Sequence, residues 1–166
     1  RGQLSAGHEN FLRALSRVRV ERRRFEDSAA CLHLHRLVEE SRDYLSPAEH
    51  GFFAQALWDC VLRLRGWSGP FHVAHCDFAP WNTRSVNGAV VVFDWEYARD
   101  GAGPLTDLLH FLLLPQAFHW RPMSVHTLLS AQRRAAAYAT HAHRDVDWNE
   151  RVLGAHPDVA ECAVIG

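Results

Sequence analysis

The chain has no lysine. All 18 of its basic residues are arginine, set against 19 acidic ones, for a net charge of −1. Without lysine there can be no G-x-x-x-x-G-K phosphate loop, and no G-x-G-x-x-G occurs either, so neither common glycine-rich nucleotide cradle is present. A near-neutral balance gives no basic field of the kind that holds nucleic acid. The Arg22-Arg23-Arg24 cluster is surrounded by Glu21, Glu26 and Asp27 and reads as a solvated helix face. The four cysteines, Cys31, Cys60, Cys76 and Cys162, are far apart and form no C-x-x-C. That pattern excludes the usual zinc and disulfide frameworks and suits a reducing, cytoplasmic setting. His33-x-His35 and His141-x-His143 are close pairs, but residues two apart on a helix point to different faces, so a zinc site is not expected. No apolar run is long enough to span a bilayer, and no signal peptide is recognisable, so no membrane partner is expected.

What is present suits one folding unit, since 48% of the 166 residues are apolar. Helical spacing of Leu4, Phe11, Leu12, Leu15 and Val18 predicts a helix over 4–25, with the charged stretch 19–28 ending it or extending it as an exposed face. Ser28 caps a second predicted helix, 29–40, with Cys31, Leu34, Leu37 and Val38 inward. Ser46-Pro47-Ala48-Glu49 combines a capping serine, a first-turn proline and a third-position glutamate. It starts a predicted helix running to about Arg65 that buries Phe52, Phe53, Ala56, Leu57, Val61 and Leu64. Residues 100–104 read as a loop. Leu105–Leu114 reads as a central apolar helix ended by Pro115, and 123–141 as a further helix. The expected fold class is therefore α+β and mainly helical.

Residues 71–96 carry the chemistry. His75-x-Asp77-x-x-x-x-Asn82 is followed by a hairpin signal, Asn87-Gly88, and an apolar run, Ala89–Phe93, that ends on Asp94. Asn-Gly supplies the two positive-φ positions of a type I′ turn, so Thr83–Val86 should pair with Ala89–Phe93. Pairing brings Asn82 and Asp94 to the same end of the hairpin. The unbroken run of the second strand predicts burial of both its faces. Two carboxylates and an amide at one hairpin mouth suit phosphoryl transfer: one acid orients a hydroxyl, while an amide and a second acid offer oxygens to magnesium. His143-Arg144-Asp145 is a decoy, because Glu150 stands where an asparagine would be needed.

His75-Cys-Asp77-Phe-Ala-Pro-Trp-Asn82, Phe93-Asp94-Trp95-Glu96 and Gly103-Pro104-Leu-Thr-Asp107-Leu108 together resemble the aminoglycoside phosphotransferase and choline kinase family, small-molecule relatives of protein kinases. The likeness extends over about Leu4–Tyr138 and is strongest at 71–114. It implies the C-terminal lobe of a protein-kinase-like fold, with a β-hairpin carrying the catalytic loop and metal site. It also implies ATP as co-substrate, Mg2+ as cofactor and a small-molecule hydroxyl as acceptor. By position, Asp77 would be the catalytic acid/base and His75 the support of its loop. Asn82 and Asp94 would be the magnesium and nucleotide ligands, Glu96 a metal or substrate neighbour, and Asp107 a brace on the catalytic loop. The family usually has glycine where this chain has Cys76. Kinases of this type grip the nucleotide phosphates with a lysine on an N-terminal strand. The missing lysine leads to the expectation that the N-lobe is absent from 1–148, that activity is low, and that the uncovered surface self-associates. It also keeps open a non-catalytic remnant acting as a binding module. Residues 149–166 resemble a C-terminal stretch of acyl-CoA synthetases and read as a fragment of a second, adenylate-forming module.

Overall fold

The computed structural model describes residues 3–118 and 124–142. Within them the chain is α+β and mainly helical, with five helices, one three-stranded sheet and one separate hairpin. Helix α1 (Ala6–Leu15) is followed by strand β1 (Glu21–Arg24) and a short 3-10 turn, Phe25–Asp27. Helices α2 (Ala29–Ser41) and α3 (Pro47–Arg63) come next, then strand β2 (Ser68–Ala74). A 3-10 turn, Pro80–Asn82, leads into strands β3 (Thr83–Val86) and β4 (Ala89–Val92). Strand β5 (Arg99–Ala102) and helices α4 (Thr106–Phe118) and α5 (Val125–Ala142) complete the described chain.

The antiparallel sheet runs β1-β2-β5. Its first strand overturns the far end of the helix predicted over 4–25, which stops at Leu15. Arg19 takes a positive φ of 51°, which a continuing right-handed helix cannot accommodate. The chain turns there, and Glu21–Arg24 pair with Phe71–Ser68. The arginine cluster is therefore a charged edge strand, a type of edge that resists pairing with other chains. Strand β5 forms where a loop was expected, with Ala102 opposite His72 and Arg99 opposite Ala74.

The core lies between α1, the sheet and α4. Phe25, Trp67, Phe71, Phe78, Leu108 and Phe111 are buried together there. The Trp67 ring covers Gly69 so closely that a β-carbon at that glycine would fall 1.8 Å from it. Ser28 caps α2 by accepting from the Cys31 amide at 3.1 Å. Ser46 and Glu49 close the start of α3 reciprocally. Both starts match the sequence signals.

The inward faces do not all match. Leu34 and Leu37 are 38% and 45% exposed, and Phe52 and Phe53 also lie at the surface. Helices α2 and α3 pack on each other, and among the described residues no layer covers their outer faces. Pro115 sits inside α4 instead of ending it. The turn beyond it is anchored by Phe118, whose ring meets Trp81 at 5.1 Å. No helix among the described residues is long and apolar enough to cross a membrane. The decoy triplet at 143–145 and the tail at 149–166 lie outside the described residues.

Candidate functional site

The hairpin forms in the register the sequence predicts, with Thr83 opposite Val92 and Val86 opposite Ala89. Asn87 and Gly88 take φ values of 51° and 80°, as a type I′ turn requires. Among the described residues the hairpin pairs with no other strand, and β4 is not buried on both faces. Val90 and Val92 are half-buried while Ala89 and Val91 are exposed. Helix α1 covers the inner face, with Gly7 so near Val90 that a β-carbon there would lie 2.9 Å from its Cγ2. His8 accepts from the Ser5 amide through Nδ1 at 3.2 Å, which leaves Nε2–H to donate to the Thr83 hydroxyl at 3.2 Å. Helix α1 thus ties the hairpin down.

The catalytic-loop candidate, residues 75–82, begins at the end of β2 and is held from both sides. Asp107, on the first turn of α4, is buried. Its two carboxylate oxygens accept the backbone amides of His75 and Cys76, both at 2.8 Å. Burial pushes the Asp107 carboxyl above its ordinary value, and the two amide bonds oppose that shift. The His75 ring is fully buried, with Nε2 3.0 Å from the Phe93 carbonyl. A carbonyl can only accept, so Nε2 carries the proton and Nδ1 accepts the Asp77 amide at 3.2 Å. His75 therefore links the loop to the hairpin mouth beside Asp94. Trp95 packs against its ring with centroids 4.7 Å apart and donates to the Val92 carbonyl at 3.0 Å.

Asn82 lies five residues from Asp77 but against it in space. Its amide nitrogen donates to the Asp77 carbonyl at 2.9 Å and to Asp77 Oδ2 at 2.7 Å. That commitment leaves the amide oxygen as the atom able to meet a cation. The Asn82 carbonyl accepts from the Phe93 amide at 3.2 Å, which places Asp94 one residue away across the hairpin mouth. Asp94 and Cys76 take positive φ values, 66° and 61°, a conformation that costs non-glycine residues about 1–3 kcal/mol each and clusters at functional sites. The value at Cys76 is the reason glycine suits that position.

Asp77, Asp94 and Glu96 are all close enough to the exposed Tyr97 hydroxyl to raise its pKa, Glu96 most strongly. Among the described residues no three His, Cys, Asp or Glu side chains form a metal cage. A nucleotide-borne magnesium needs only one or two protein oxygens beside phosphate and water, and Asn82 and Asp94, at the mouth of the hairpin, are the residues that could offer them.

The sequence reading missed His110. It stands one turn after Asp107 on α4, and that spacing of three on a helix was the available signal. Its Nδ1 lies 3.9 Å from Asp77 Oδ1 and is buried without a hydrogen-bond partner. Burial holds the imidazole below its ordinary pKa, against the pull of Asp77 and Asp107. A neutral ring therefore faces the free oxygen of Asp77. No family model matches the chain, and neither a curated protein nor a solved structure is similar to it.

Proposed function

We propose that the chain is the catalytic lobe of a kinase-like phosphotransferase that moves the γ-phosphate of ATP to a hydroxyl of a small molecule. The observation that carries this reading is the Asp77–Asn82 contact at 2.7 Å, on a loop whose amides are gripped by Asp107. Asp77 Oδ2 is occupied by the asparagine, so Oδ1 is the oxygen that orients the acceptor hydroxyl and takes its proton. The buried bonds of His75 and Asp107 fix that oxygen before substrate arrives, and such positioning supplies most of the acceleration in phosphoryl transfer. Asn82 and Asp94 would hold magnesium, which when bound neutralises phosphate charge. Glu96 and Tyr97 lie at the edge where the acceptor would enter.

The absence of lysine favours a second reading, a kinase-like module that binds a metabolite without turnover. Transfer of labelled γ-phosphate from Mg-ATP to a panel of small alcohols separates the two. It is measured for the chain alone and mixed with a lysine-bearing nucleotide lobe. Asp77→Ala should lower any transfer by about 100-fold or more without moving the thermal midpoint by more than a few degrees. Full activity in that variant would remove Asp77 from the chemistry.

A further inference from the structure

A second concave site lies between α2, the sheet and the turn that leads into α4. Its volume is about 270 Å³. Phe71 and Trp67 line it, and Leu34 and Leu37 stand along its α2 side. One end is pinched where α2 crosses β5, since a β-carbon on Gly101 would sit 3.1 Å from the Ala29 methyl. An apolar cavity with a few placed polar groups is the general form of a small-molecule site.

The polar side chains here are His33, the half-buried Arg99 and Thr106, whose hydroxyl already donates to the Gly103 carbonyl at 2.8 Å. Among the described residues no carboxylate lies within ion-pair distance of Arg99, whereas the nearby Arg36 has Glu40 at 3.6 Å. The neighbours of Arg99 are the Cys76 thiol and His33. The His33 imidazole is pushed below its ordinary pKa by burial first and by Arg99 second. Among the described residues the groove's guanidinium thus has no carboxylate paired with it, and a partly buried charge without such a partner is costly.

We propose that this groove binds a small amphipathic carboxylate, its head on the Arg99 guanidinium and its aliphatic or aromatic body along Leu34, Leu37 and Phe71. A guanidinium fork matches a carboxylate with two parallel hydrogen bonds, and the exposed leucines gain a cover. The proposal does not depend on phosphoryl transfer, because none of the residues assigned to that chemistry is used.

The test is calorimetric titration of the full chain with octanoate and with octan-1-ol, which shares the body but lacks the charge. One octanoate should bind per chain, with octanol at least about tenfold weaker. Arg99→Leu should bring octanoate to the octanol level, and Arg99→Lys should fall between. Octanoate should also raise the thermal midpoint of the wild type and not that of Arg99→Leu, a readout that first establishes that the variant folds. Equal affinity for acid and alcohol, undiminished binding by a folded Arg99→Leu, or no octanoate binding by the wild type would overturn the proposal. The last of these would leave the groove to a polypeptide segment.

Discussion

At Asp107 a single carboxylate satisfies two neighbouring backbone amides. Shortening it to alanine strands both donors inside the protein. Each unsatisfied buried donor costs about 1–3 kcal/mol, so Asp107→Ala should destabilise the chain by about 2–6 kcal/mol in urea unfolding. Asp77 differs in kind. Its carboxylate is partly exposed, and its loss should be felt in chemistry before stability. A destabilisation by Asp77→Ala as large as that of Asp107→Ala would mean that Asp77 is a structural group. That Asn82 and Asp94 flank one end of the hairpin was legible in the sequence, because a type I′ turn fixes register by itself. The part played by His110 was not, because nothing in the chain shows which face of α4 looks toward the loop until the core has packed.

At the scale of the element, Pro115 is the clearest local conflict. It removes an amide from the helical ladder and crowds the carbonyl four residues earlier, yet α4 continues to Phe118. Pro115→Ala should raise the stability of the chain, by up to about 3 kcal/mol if the rest of α4 does not shift. No gain in the urea midpoint would show that α4 already relieves the strain by bending. The sequence predicted where α2 and α3 begin because caps are local. It did not predict β1 or β5, whose partner is β2. Strands made of arginine or of Asp-Gly carry no alternation, and only the long-range partner makes them strands. The exposed leucines and phenylalanines of α2 and α3 failed for the opposite reason: the apolar spacing was right, but no layer covers that face among the described residues.

At the scale of the molecule, titration has a sign. His8, His33 and His110 are all lowered from 6.5 by burial. A histidine whose folded pKa is depressed binds fewer protons folded than unfolded. Its stabilising share is complete above pH 6.5 and is lost as pH falls through the folded value. The thermal midpoint should therefore fall as the solution is acidified below pH 6.5. His110→Gln should flatten that fall, and an unchanged slope would place His110 in contact with solvent.

The central claim is that Asp77, Asn82 and Asp94 form one phosphate-handling site. Calorimetric titration of ATP into the chain, with and without magnesium, tests it most directly. ATP should bind only with magnesium present, and Asp94→Ala should abolish that binding while the protein stays folded. No ATP binding at all, or binding that ignores both magnesium and Asp94, would contradict the claim.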